Sequence, residues 1–457
     1  MRYNLPVPFE LYLYACAAAL LITFALMGWF MRAPAGAPVR IGGMARAHPI
    51  GRLPSWLIVL LQVGALLCLG MSVLAGLLGT QDPDDNLNLT LFWEVFLLGF
   101  VYATAVIGNV YALANPWETL VKLMGRNRTA SGRGRYQYAE SLGYWPAVAC
   151  YIALIWLELF TIPGPRALSL ILLGYSALTF AGAWLFGAPA WFKHCELFSV
   201  LLRVVGTLAP LAYRPDAREQ RSHVQLRWPL VGIFEEHPRS ISFVVFVLCL
   251  LAGTTYDGMH QTLFWKGLYW HRLLPMFQAW RGGHVPDSTL EHWYDVYQRL
   301  GLVVFPFLYL GIYLAILRLG KAAAHTALSV HSMAVAFILS ILPIALVYNM
   351  AHYYTLILIR LRVLPYLFTD PFGYEWNPLH LPHLGDPPIL KMAMVWHVEV
   401  GLILCGHIAA VWLAHRIALH MFASRREAVM SQVPMLILML AYTVIGLWVI
   451  SLPFALT

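Results

Sequence analysis

Apolar and polar positions alternate along this chain in long blocks. Ten apolar runs, near 10–31, 55–79, 91–114, 144–162, 167–186, 241–257, 301–318, 330–358, 392–420 and 434–456, are separated by short polar stretches. A bilayer core takes about 20 apolar residues per helix. Backbone groups inside it must be satisfied within the segment, so runs of this length are expected to be helices. The expected fold is therefore all-α: one polytopic membrane domain over 1–457, a bundle of about ten transmembrane helices. The first run is too long for a cleaved signal peptide, and Arg2 is the one basic residue before it. The stretch 187–210 mixes Lys193, Glu196 and Arg203 with apolar residues, which predicts an interfacial or re-entrant helix opening a loop over 187–240.

Composition sharpens this picture. Sixty per cent of the 457 residues are apolar and 11% are charged, and the mean hydropathy is +0.67. Soluble domains carry about 25% charged residues, so ordinary soluble folds and disordered chains are excluded. Six cysteines are too few for a disulfide framework in so long a chain, and five of them lie in apolar runs. The net charge of +8 is spread over short loops between apolar runs, so a lipid bilayer and not nucleic acid is the expected partner.

Charge also orients the chain. One set of alternate loops holds 21 of the 30 Lys and Arg residues, and positively charged loops stay cytoplasmic. Both termini and the loops 80–90, 258–300 and 359–391 then face outward, which in a bacterial inner membrane is the periplasm. The loops 258–300 and 359–391 are long for simple connections and are expected to cap the outer face.

Ionisable residues inside spans are costly and mark functional paths. On this topology Asp257 and His260 end the sixth span, Asn349 and His352 lie in the outer part of the eighth, and His397 and Glu399 begin the ninth. Asp257 and His260 are three residues apart, a spacing that places both on one helix face and could chelate a metal. His271, His380 and His383 are further loop candidates on the same side. Imidazole and carboxylate together suit copper, zinc or iron. His407 sits near the middle of the ninth span, where it could ligate haem b or relay protons. His415 and His420, with Arg416, read as cytoplasmic-interface residues. In the string GNVYALANPWETL, Asn115 is expected to cap a helix, Pro116 to begin it and Trp117 to anchor at the headgroups. No phosphate-binding loop, dinucleotide fingerprint, nucleophile elbow or c-type haem motif occurs.

Several strings, among them GTQDPDDNLNLTLFWEVF, GNVYALANPWETL, ELFSVLLRVVGTLAP, NMAHYYT, TDPFGYEW and GHIAAVWLAH, resemble a family of bacterial membrane proteins labelled fenitrothion hydrolase, from about residue 79 onward. The resemblance implies hydrolysis of an organophosphate ester by a metal-bound water, with Asp257, His352 and His397 as candidate ligands. Where that family's pattern leads one to expect a histidine, this chain has Asn349. The residues themselves favour a different first expectation, a redox or electron-transfer subunit with an outer-face metal or haem centre, working with other membrane subunits or a periplasmic electron carrier. A metal-dependent hydrolase, a metal or small-molecule transporter and a purely structural subunit are the alternatives.

Overall fold

Ten helices are long and apolar enough to cross a membrane among the residues described by the computed structural model, which are 9–31, 47–125, 134–216, 221–281, 286–376, 378–381 and 391–451. In chain order the bundle is α1 (Phe9–Phe30), α2 (Ser55–Leu78), α3 (Leu87–Ile107), α4 (Glu140–Thr161), α5 (Pro165–Phe186), the shorter α6 (Leu197–Gly206), α7 (Ile241–His260), α8 (Asp287–Ala324), α9 (Val330–Arg360), α10 (Met392–Met421) and α11 (Arg425–Ser451). The protein is an all-α polytopic bundle, as its apolar blocks require.

Helix α7 is the axle. Its sequence is apolar all round, and such a helix belongs in the interior. Every side chain from Ser242 to Tyr256 is buried, with α4, α8 and α9 packed around it. Helix α2 is the opposite case: only Ser72, Ala75 and Gly76 are buried, so most of its apolar surface faces outward, as a bilayer allows. A 3₁₀ turn at Ile338–Ile341 interrupts α9 just before Pro343, whose missing N–H breaks the regular ladder.

Several expectations change. The stretch 258–300 is largely helical, not an open loop: Leu263–Leu268, a π-helical turn at Tyr269–Leu273 and Leu274–Arg281 precede α8, which already begins at Asp287. Aromatic contacts bind these pieces to α8, with Trp265 stacked on Tyr297 at 4.7 Å and Tyr269 edge-on to Tyr294 at 5.1 Å. Within 187–240, α6 is buried on almost all sides, so it is a packed part of the bundle. A three-stranded antiparallel sheet was not expected at all. His48–Leu53 (β1) and Leu211–Asp216 (β2) flank Arg221–Leu226 (β3), in the order β1-β3-β2. Arg227 fastens this sheet to the bundle, donating to the carbonyls of Gly206 (2.7 Å) and Ala209 (3.0 Å) and pairing with Glu235 at 3.1 Å. The sheet marks one end of the bundle; residues 79–86 and 361–376 mark the far end.

Asn115 caps the helix Pro116–Met124, accepting from the Glu118 N–H, and Pro116 opens it. Trp117 is not a headgroup anchor: it is 2% exposed and its indole N–H donates to Ser176 at 2.8 Å. His415 is likewise fully buried and accepts from the Gln432 amide at 3.2 Å, because α11 covers that face of α10.

Candidate functional site

Three helices bring ionisable side chains together in the half of the bundle toward the far end. The last turn of α7 carries Asp257. Helix α9 carries Asn349, His352 and Tyr353 at the spacing that puts 349 and 353 on one face. Helix α4 ends in Glu158. Asp257 Oδ2 lies 2.7 Å from His352 Nε2 and 2.8 Å from the Tyr353 hydroxyl. The same hydroxyl lies 2.8 Å from Glu158 Oε1. One tyrosine oxygen therefore joins two carboxyl groups, one of which also holds an imidazole.

Neighbouring amides and hydroxyls fix this chain of contacts. Asn349 accepts from the Tyr102 hydroxyl of α3 at 2.6 Å and donates to Thr254 of α7 at 3.0 Å. The asparagine at this position thus ties three helices together, a role that needs both an acceptor and a donor on one planar group.

Two cavities meet at the network. One of about 70 Å³ is lined by Glu158, Asp257, Asn349 and Tyr353 among apolar side chains of α3 and α6. A larger one of about 260 Å³ extends past Glu158 and Tyr353 to Trp93, Glu94, Arg360 and Pro83 at the far end. Arg360 stands where it opens, with one guanidinium nitrogen 2.6 Å from Asp84 and another 3.9 Å from Glu94. The path from the far end to Asp257 is lined by carboxyl, hydroxyl and guanidinium groups set in an apolar wall.

Both carboxyl-bearing walls are unusual helices. Glu94 lies in a π-helical stretch of α3, Thr90–Phe100, and Glu158 in another at the end of α4, Leu157–Thr161. A π turn widens the backbone and re-aims the side chains that follow, and such turns are frequent at functional sites. On α3 the result is a division of faces: Glu94, Leu97 and Leu98 line the polar path, while Phe92, Phe96 and Phe100 form an aromatic ridge on the other side.

The sequence-derived candidates divide accordingly. Asp257 and His352 are in direct contact. Glu399 lies near the start of α10. His260 is next to the network but aimed elsewhere: its Nδ1 is 2.7 Å from the backbone carbonyl of Asp257 and 3.9 Å from the carboxylate, and its ring stacks on Tyr256. The predicted chelating pair is therefore not formed, because the imidazole turns back onto its own helix. His397 is exposed and bonds Tyr12 of α1 at 3.1 Å. His271 and His380 are exposed, and His383 lies outside the described residues. His407 is buried in the middle of α10 and belongs to a separate small cavity. Among the described residues no group of three or more His, Cys, Asp or Glu side chains is arranged to hold a metal ion.

Glu158, near the outer end of its span, had two readings in the sequence, an interface residue or an inward-pointing member of the outer polar cluster, and it takes the second; Tyr353, Glu94 and Arg360 were not among the expected site residues. Their signals were present: two acids inside apolar runs, and an arginine closing an apolar helix above the acidic turn of residues 82–85.

A second buried carboxyl lies on the sheet side of this network. Glu196 caps α6, accepting from the N–H groups of Phe198 (3.1 Å) and Ser199 (2.7 Å), the Tyr175 hydroxyl (2.5 Å) and the Asn115 amide (3.3 Å).

No protein-family model, curated protein or solved structure matches this chain.

Proposed function

We propose that this chain holds an exchangeable proton inside the membrane and uses it to drive the passage of a small polar solute entering from the far end. The observation that carries this reading is the Tyr353 hydroxyl, 2.8 Å from both Glu158 and Asp257. A hydroxyl has one proton to donate. It can satisfy one carboxylate, and the second carboxyl must then bring its own proton and donate to the tyrosine oxygen. The imidazole of His352 on Asp257 favours Asp257 as the ionised partner, which leaves Glu158, facing both cavities, as the protonated one. Loss of that proton would set two like charges against one hydroxyl, so proton release and rearrangement of the site are coupled.

The basic loops support placing the sheet end in the cytoplasm of a bacterial cell, with the path opening outward from the inner membrane. A metal or haem redox centre has less behind it, since the candidate histidines are scattered between Tyr12, the far-end surface and the middle of α10. A second reading rests on the 2.7 Å contact between Asp257 and His352, the carboxylate–imidazole pair that general-base hydrolysis uses. It accords with the hydrolase resemblance.

The test is proton uptake by proteoliposomes containing the purified chain under an imposed pH gradient, with infrared difference spectroscopy of the carboxylic acid band. In Glu158→Gln the acid band is expected to vanish and uptake to fall about 100-fold. Uptake equal in this variant and the parent protein would sink the proposal. Organophosphate turnover that depends on His352 without any proton uptake would transfer support to the hydrolase reading.

A further inference from the structure

We propose that one water molecule is bound between His407, Tyr348 and Tyr442, and that it makes His407 an inward station of the proton path; this deepens the proton-relay reading and rests on it. His407 is 3% exposed. Its Nδ1 is 2.8 Å from the Ile403 carbonyl, so Nδ1 carries the hydrogen and Nε2 is left as an acceptor. That Nε2 and the hydroxyls of Tyr348 and Tyr442 are buried without a hydrogen-bond partner. All three side chains line the same cavity of about 20 Å³, together with Thr255, Tyr309 and apolar residues.

A cavity takes up a water once it offers about 10–15 Å³ and two to four polar partners. This one meets both conditions and has room for little more, so it does not fit a haem on His407. The hydrogen count closes: the water donates to His407 Nε2 and to one tyrosine oxygen, and accepts from the other tyrosine hydroxyl. Each orphaned atom gains a partner.

The cavity lies beside the outer network on two of the same helices. Tyr348 lies one turn from His352 on α9, and Thr255 lies two residues from Asp257 on α7. The titratable groups facing it are His407, Tyr309, Tyr348 and Tyr442, and no charged side chain lines it. A proton that reaches the water lets it hand one of its own hydrogens to Nε2, which gives an imidazolium; the return runs in reverse. One proton moves per step, no electron moves and no co-reactant is required.

Gly446 supplies the test. It lines the cavity, and a Cβ there would sit 3.2 Å from the Tyr348 ring. The methyl of Gly446→Ala narrows a cavity of about one water's size and offers no hydrogen bond, whereas Gly446→Ser adds a hydroxyl at the same wall. In the proteoliposome assay, Gly446→Ala and His407→Leu are expected to lose about tenfold or more of the uptake rate, and Gly446→Ser to retain most of it. With ¹⁵N-histidine labelling, the Nε2 resonance of His407 is expected to shift between the parent protein and Gly446→Ala, which reports the water even if a variant transports poorly for other reasons. An unchanged Nε2 resonance overturns the bound water. Full uptake by Gly446→Ala and His407→Leu, while Glu158→Gln has almost none, overturns the inward station and leaves the outer relay standing. Full uptake by Glu158→Gln removes the relay itself.

Discussion

Glu196 and Glu158 are both carboxyl groups in the interior of one bundle, and their surroundings assign them opposite work. Glu196 receives four donors from Phe198, Ser199, Tyr175 and Asn115. Two of these are the N–H groups of a helix start. That arrangement suits a fixed anion that holds α6 to α5 and to the turn at Asn115. Glu158 has one hydroxyl, and it must share that with Asp257. It also borders two cavities, whereas Glu196 is 1% exposed and sealed. Burial of a carboxyl does not by itself mark a functional site. The number of donors relative to acceptors around it, and access to a polar path, separate a structural cap from an exchangeable proton.

The largest expected effect breaks the structural side of this comparison. Glu196→Ala strips four donors of their acceptor and is expected to cost about 3 kcal/mol or more, read as a fall in melting temperature in detergent. Glu196→Gln should recover little of it, since its amide hydrogens would face other donors. Glu158→Gln is expected to behave in the reverse way: stability within about 1 kcal/mol of the parent, because a neutral amide replaces a neutral acid, yet proton uptake reduced about 100-fold. Equal stability losses at the two positions would erase the distinction drawn between them.

Smaller effects sharpen it. Tyr353→Phe removes the shared hydroxyl and is expected to lower uptake about tenfold. Combined with Glu158→Gln it should add almost nothing, with a coupling on the order of 1 kcal/mol in a double-mutant cycle. Additive losses would mean that the two residues act separately. The weakest expected effect lies at the mouth: Arg360→Ala, which frees the exposed Asp84, should change stability by about 0.5 kcal/mol or less. Its influence on uptake should shrink as salt rises, because exposed charges are screened. A salt-independent loss would place Arg360 in the path itself and not at its entrance.

Much of the scaffold was legible beforehand because membrane helices obey a local rule. Each must be apolar over a bilayer's thickness and satisfy its own backbone, so its length and position can be read from one stretch of chain. All ten spans appear where apolar runs occur. The proximity of Asp257 and His352 was legible in part, since topology alone put their helix ends on one side. The chelating spacing of Asp257 and His260 misled, because i and i+3 place two side chains on one face without deciding whether they point at each other or back at the helix. Trp117 and His415 misled for a related reason: an amphipathic residue near a span end has the same local signature whether lipid headgroups or another helix receives it. The sheet escaped notice in part because β1 lies before α2 and its partner β3 after α6, so those hydrogen bonds are nonlocal; the local hairpin of β2 and β3 was simply not read from its residues.

The order of apolar blocks by itself determined that this is a ten-helix membrane bundle, and the basic loops suggested its orientation. Only tertiary structure decided that Glu158 and Asp257 compete for Tyr353, that Asn349 ties three helices, and that His407 faces a water-sized space with two tyrosines. Hydropathy is a sum over neighbours in sequence and survives without a fold. Hydrogen-bond partnership depends on distances of about 3 Å between residues as far apart as Glu158 and Tyr353, and those distances exist only once the helices have packed.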